Sequence, residues 1–410
     1  YSADHGCVVV METKTGHIKA ISNLGRANDG SYYETQNYAI TESHEPGSTF
    51  KLVDLIAVLD DKKADTSKIY DSKGGVIEYY GRKVRDSKPG GYGKISLARG
   101  FELSSNTVLV QSVYDSYKNN PKQFVDRINS YGLNKPLGLP IKGEGKPVIP
   151  QPGTNRWSGV ALPWMAFGYG LSVTPLQTLT LYNAVANDGV MVKPIFVSEI
   201  KEWNKTIKKY NTEVINPKIC SQETLDKVQA VLENVVKRGT GSKLYSKDFS
   251  MAGKTGTAQV NYKDKSKLYY ASSFVGYFPA DEPKYSCIIV VHKPNVAAGY
   301  YGADVAGPVF KRIAQKIFTD SPSTNHVKNI DAKVVSQETN YKEFYKKAEK
   351  AENEGRIVPN VKGMSGMDAV ALLENLGLKV KVIGVGRVKK QSLTSGQAFN
   401  KNQTIIIELS

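Results

Sequence analysis

Apolar and polar positions along this chain fall into segments of two periods. Residues 7–11, Cys7-Val8-Val9-Val10-Met11, and residues 17–21 are β-rich runs joined by Glu12-Thr13-Lys14-Thr15-Gly16, which reads as a hairpin. After a polar loop rich in Asn, Ser and Tyr, the residues Phe50, Leu52, Val53, Leu55, Ile56, Val58 and Leu59 are apolar on nearly every face. That pattern predicts a helix buried all round, with Pro46-Gly47 as the turn before it and Ser48 at its entrance. Gly74-Gly75 and Lys88-Pro89-Gly90-Gly91 mark loops around a short strand. A helical pattern begins at Ile95, is interrupted at Ser104-Ser105-Asn106, and resumes through Val108, Leu109, Val110 and Val113. Residues 132–157 are loop-rich, with Pro136, Pro140, Pro147, Pro150 and Pro152. Thr174-Pro175 opens another helix as an N-cap followed by proline, and residues 225–236 are amphipathic. Three strand-like runs at 251–260, 272–278 and 285–291 precede a helix over 309–318. Helices on either side of consecutive strands predict an α+β domain with an antiparallel sheet.

The composition shifts at Asp320. Residues 1–320 read as one large domain and 321–355 as a polar linker carrying the charged run 343–354. Residues 356–410 read as a small α+β unit, with a helix through Ala369, Val370, Leu372, Leu373 and Leu376 stopped by Gly377, alternating Val380 and Val382, and a strand at 405–407. The net charge of +16 asks for an anionic environment. Because no Lys/Arg run interleaves with aromatics, nucleic acid is not the expected partner, and a membrane surface or cell wall fits better. Cys7, Cys220 and Cys287 are far apart and odd in number, so they read as buried small hydrophobes rather than a disulfide framework or metal site. The five histidines are too scattered to nominate one for chemistry. Neither a cofactor nor a metal is expected. No apolar run approaches the ~18 residues of a membrane span. A strand starting almost at residue 1 suggests a chain that begins at a domain edge, with any anchor upstream.

Three short motifs carry chemistry. Ser48 and Lys51 at i, i+3 share a helix face, which brings the amine within reach of the hydroxyl. Ser104-Ser105-Asn106 lies between two helices, and Lys254-Thr255-Gly256 on a strand. Each pattern alone is weak: Ser198-Glu199-Ile200-Lys201, Ser323-Thr324-Asn325 and Lys14-Thr15-Gly16 match them too, but lack a buried helix, lie in the linker, or sit in a hairpin turn. A serine hydroxyl needs a base to become a nucleophile, and Lys51 is the available one if burial and a neighbouring charge, supplied by Lys254, lower its pKa. Ser104 and Asn106 would relay a proton to a leaving amine and hold the substrate amide, which is compatible with capping the helix that starts near Val108. Lys254 and Thr255 would bind a substrate carboxylate, Gly256 would let the strand approach closely, and the backbone amides of Ser48 and Thr257 would form the oxyanion hole.

Ser-x-x-Lys, a Ser-x-Asn triplet and Lys-Thr-Gly in this order form the set shared by serine β-lactamases and penicillin-binding proteins. With Glu45-Pro46-Gly47-Ser48, Phe167-Gly168-Tyr169-Gly170, Thr174-Pro175-Leu176-Gln177, the run from Gly253 through Gln259 and Phe274-Val275-Gly276-Tyr277-Phe278-Pro279, residues 1–320 resemble the transpeptidase domain of a class B penicillin-binding protein. Val358-Pro359-Asn360-Val361, residues 369–378 and Gly386-Arg387-Val388 resemble a PASTA domain. The resemblance implies a penicillin-binding fold with an all-helical subdomain, and a serine D-Ala-D-Ala transpeptidase acting on peptidoglycan stem peptides and acylated by β-lactams. It further implies an enzyme on the extracytoplasmic face of a bacterial membrane, tethered by an upstream helix, with a glycosyltransferase and divisome or elongasome proteins as partners. A serine β-lactamase would share the motifs but needs a device for fast deacylation, and none is assigned: Glu144 lies in the loop-rich stretch, but nothing around it places a water. A non-catalytic sensor acylated at Ser48 is the other alternative.

Overall fold

In a computed structural model, the residues described are 1–320 and 357–410, other than 204 and 263. They fall into two compact units, with the division between Pro322 and Ser323. The linker reading of 321–355 lies outside the described residues.

The first unit is organised on a six-stranded sheet. The opening hairpin is β1 (His5–Glu12) and β2 (Ile18–Arg26), followed by the short β3 (Tyr32–Tyr33). The buried helix is α1 (Lys51–Asp60), in which every residue from Lys51 through Leu59 is buried. Where the sequence suggested one short strand there is a hairpin of β4 (Val76–Tyr79) and β5 (Arg82–Arg85). Its two-residue turn, Tyr80-Gly81, has φ of 50° and 74°. A turn with both central residues in the left-handed region suits a tight hairpin, but Tyr-Gly is not the usual Asn-Gly signal, so the sequence did not announce it.

The interrupted helical pattern resolves into α2 (Leu97–Glu102) and α3 (Asn106–Tyr117). Next come α4 (Pro175–Ala186), opened by a Thr174/Gln177 capping box, and α5 (Gln222–Arg238). The remaining strands are β6 (Ala252–Val260), β7 (Tyr269–Phe278) and β8 (Tyr285–His292), before α6 (Gly307–Asp320). The sheet order is β6-β7-β8-β1-β2-β3, antiparallel throughout. The run Val9-Val10-Met11 is continuously apolar because both sheet faces are covered: Val9 and Met11 join the core containing α1 and α4, while Val10 joins Phe274 and Phe310 on the other side. All three cysteines are buried and free. The edge strand β6 packs against the turn that carries Ser48, which is how the third motif meets the first.

The second unit has α7 (Gly366–Asn375), β9 (Lys379–Ile383), β10 (Val388–Gln391) and β11 (Thr404–Leu409). β11 lies between the other two strands, parallel to β9 and antiparallel to β10. Val358, Val361, Leu372, Leu373, Ile405 and Ile407 form its own core, and Gly377 ends the helix with φ of 91°.

Candidate active site

Ser48 sits in a single 3-10 turn, Gly47–Thr49, that leads directly into α1. Two glycines stand back to back behind it. Gly47 donates its N–H to Gly168 O at 3.1 Å, and a Cβ on Gly168, whose φ is +83°, would lie 2.0 Å from Gly47 O. Tyr182 fixes the far side of the turn by donating to Thr49 O at 2.8 Å. Gly168→Ala therefore combines left-handed strain with a backbone clash. It is expected to cost roughly 2–4 kcal/mol in a denaturant titration and to slow acylation of Ser48 by displacing the turn.

The Lys51 amine is completely buried. It donates to Ser104 O at 2.8 Å, Ser104 Oγ at 3.3 Å and Asn106 Oδ1 at 2.6 Å. The sequence spacing suggested direct contact with Ser48, but among the described residues no hydrogen bond joins the two, a looseness usual before substrate binds. Ser104 can offer both its carbonyl and its hydroxyl because it holds φ of 56°, a strained value typical of working sites. From the other side Lys254 Nζ donates to the same Ser104 Oγ at 2.8 Å and to Thr255 O at 3.0 Å. Two amines thus converge on one hydroxyl.

The helix cap is Ser105, whose side chain accepts from Val108 N. Ser104 and Asn106 are left for the site, and Asn106 Nδ2 donates to Arg85 O at 2.7 Å. The sequence reading missed Asp86. Its carboxylate accepts from Ser105 Oγ, Thr107 N and Thr107 Oγ1, all within 3.1 Å, and so ties the β4–β5 hairpin to the start of α3, where a negative charge is favourable. Asp54, one helical turn beyond Lys51, was also missed. It is fully buried with neither oxygen hydrogen-bonded, and burial pushes its carboxyl well up.

Burial brings the Lys51 amine down to about 7, against the opposing pull of Asp86 and Asp54. Lys254 is also lowered, by burial and then by the charge of Lys51. The repulsion between the two buried amines is mutual and eases the loss of a proton from the pair.

Along β6 the side chains alternate. Thr255 and Thr257 line a cleft of about 1430 Å³ together with Ser48, Ser104 and Asn106. Lys254 is fully buried and reaches the cleft through the Ser104 hydroxyl that its amine bonds, so Thr255 is the one of the pair that lines the cleft itself. Thr255 Oγ1 is 2.7 Å from Thr240 Oγ1, and Thr257 Oγ1 accepts from Gly302 N at 3.0 Å. Gly256 faces inward too. A Cβ there would lie 2.2 Å from Ser273 Oγ and 2.9 Å from Thr49 Cγ2, so this glycine lets β6 close on the Ser48 turn rather than on a ligand.

The family described as "Penicillin binding protein transpeptidase domain" matches residues 6–315. The chain belongs to this family. The PASTA domain family matches residues 356–410. Among curated relatives, stage V sporulation protein D of Bacillus subtilis is 28% identical over all of this chain and 62% of its own length. The penicillin-binding protein PbpB of Mycolicibacterium smegmatis is 30% identical over 75% of this chain and 49% of its own length. The chain therefore spans about half to three fifths of these relatives. Penicillin-binding protein 3 of Mycobacterium tuberculosis, solved with aztreonam, aligns over 78% of this chain and 73% of its own with a TM-score of 0.67 and 27% identity. Within this transpeptidase-family fold Glu144 plays a structural part. Its carboxylate accepts the backbone N–H groups of Leu137, Gly138 and Leu139 and holds their loop. It does not line the cleft.

Proposed function

We propose that this chain is the acyl-transfer unit of a peptidoglycan D,D-transpeptidase, with residues 1–320 as the catalytic domain and 356–410 as an appended PASTA domain. The observation that carries this reading is the pair of buried amines, Lys51 and Lys254, converging on the Ser104 hydroxyl in the cleft that Ser48 lines. Ser48 Oγ attacks the carbonyl of the penultimate D-alanine in a stem peptide ending in D-Ala-D-Ala, and Lys51 takes its proton. The backbone amides of Ser48 and Thr257 hold the oxyanion, and loss of one such donor costs ~3 kcal/mol of barrier. Ser104, bonded to both lysines, passes a proton to the departing D-alanine amine, and Asn106 and Thr255 orient the peptide. An acceptor amine then attacks the ester, forms the crosslink and frees Ser48. A β-lactam enters the same path and stays as the acyl-enzyme.

The setting proposed is the extracytoplasmic face of a bacterial membrane, with an upstream anchor and with a glycosyltransferase and divisome or elongasome proteins as partners. Among the described residues no helix is long and apolar enough to cross a membrane. The test incubates the protein with a stem-peptide mimic and an amine acceptor. D-Alanine release with a new amide is expected, together with a penicillin adduct that persists. Adduct turnover in seconds or less would make the chain a β-lactamase. Stable labelling without any D-alanine release would make it a sensor.

A further inference from the structure

His5, His44 and His292, distant in sequence, meet at the end of the sheet beside Glu42. His5 and His292 are direct cross-strand partners on β1 and β8. Their rings stack with centroids 4.3 Å apart and planes 12° apart, and both Nε2 atoms face one oxygen, Glu42 Oε2, at 2.8 Å from His5 and 3.8 Å from His292. His44 meets the ring of His292 edge-on at 5.0 Å. Three of the five histidines that looked too scattered to carry chemistry thus converge, outside the cleft that Ser48 lines.

The proton count at His5 is unusual. Its Nδ1 lies 2.9 Å from Asp4 Oδ2 while its Nε2 lies 2.8 Å from Glu42 Oε2. A neutral imidazole has one N–H, so one of the two carboxylates would face a lone pair. The site calls for a cation, either a proton on His5 or a metal ion. A second observation concerns His292, which is 2% exposed and turns Nε2, not the unpartnered Nδ1, toward Glu42.

We propose that His5, Glu42 and His292 form a binding site for a divalent transition metal of the zinc type. The ligating atoms of the three residues all lie within 4.8 Å of one another. A tetrahedral zinc with bonds of about 2.1 Å places its ligand atoms about 3.4 Å apart. The 2.8 Å contact would have to open, and the 3.8 Å contact close, by about half an ångström each, and the stacked His5 and His292 rings would have to tilt so that both Nε2 lone pairs meet at the ion. Two imidazoles and a carboxylate are a set that zinc accepts, with a fourth position left for water. Asp4 on His5 Nδ1 supplies the outer carboxylate that orients a ligating histidine and fixes its tautomer. Glu42, His44, Tyr269 and His292 line a pocket of about 550 Å³, which gives an ion a way in. Since Glu42 lies on the segment entering the Ser48 turn, the metal would tie that segment to the sheet. The site is a structural clamp, separate from acyl transfer.

The test strips the tag-free chain with EDTA, removes the chelator, adds zinc chloride, washes away unbound metal and measures zinc by elemental analysis. Uptake of about one ion per chain is expected. Magnesium should not compete, cobalt loading should give the visible absorption of a tetrahedral site, and zinc should raise the thermal midpoint. Glu42→Gln and His292→Gln, each checked for folding by circular dichroism, should lose uptake; if one fails to fold, His5→Gln replaces it. Absence of zinc uptake by the unmodified chain, or uptake unchanged in the folded variants, overturns the proposal and leaves His5 as a protonated ion-pair partner of Asp4 and Glu42.

Discussion

A Ser48→Ala chain is expected to fold as the parent does, to bind a fluorescent penicillin reversibly, and to retain none of it covalently after denaturation. The expectation of intact folding has a local reason. Ser48 is half-buried on the cleft wall, and its hydroxyl has no hydrogen-bond partner among the described residues, so its removal leaves no group unpaired. Such a substitution belongs with those that change stability by no more than about 0.5 kcal/mol. The turn that holds Ser48 is fixed by Gly47, Gly168 and Tyr182, none of which touches the hydroxyl. Loss of labelling should instead be complete, because without Oγ there is no atom to form the ester. Denaturing gel fluorescence measures the covalent fraction, and a thermal melt checks the fold. Labelling that survives in a folded Ser48→Ala protein would place the nucleophile elsewhere.

The parts of this site legible in the sequence are those encoded locally. Ser48 and Lys51 are linked by helical spacing, and the buried helix behind them by its apolar run. Other features depend on which way a side chain turns once distant elements meet. Lys254 and Thr255 are adjacent in sequence, but strand alternation gives Thr255 a place on the cleft wall and buries Lys254, whose amine meets the cleft at the Ser104 hydroxyl. Gly256 was read as making room for a ligand, whereas Ser273 and Thr49 occupy the space its Cβ would need. Ser104, Ser105 and Asn106 are adjacent and chemically similar, and only the helix start shows that the middle residue is the cap. The β4–β5 hairpin lacked a recognisable turn signal, and with it went Asp86, whose partners lie about twenty positions on. The histidine cluster was least legible of all: β1 and β8 are sequence-distant strands that a sheet register sets side by side.

Lys51 carries the second large effect, and its pH dependence separates it from a residue that merely packs. Lys51→Ala is expected to lower the acylation rate by about three orders of magnitude or more, the upper part of the range for losing a general base. Lys51→Arg should fail comparably, because a guanidinium keeps its proton and cannot act as a base. In the unmodified chain the neutral amine is the competent form and its pKa is about 7. The acylation rate should therefore rise about tenfold per pH unit below neutrality and level off above it. Stability must move consistently. Folding lowers the Lys51 pKa from its ordinary 10.5 to about 7, so between these values the unfolded chain holds a proton that the folded chain has released. Protons bound to the unfolded state make stability rise with pH across that window. The burial penalty is thus full below pH about 7 and is relieved as pH approaches 10.5. Lys51→Met removes the titrating group, so the difference between parent and variant in denaturant titrations should fall along that slope. A parent acylation rate that is level on both sides of neutrality, with the slope in stability absent, would mean that Lys51 holds Ser104 and Asn106 in place while another group takes the proton.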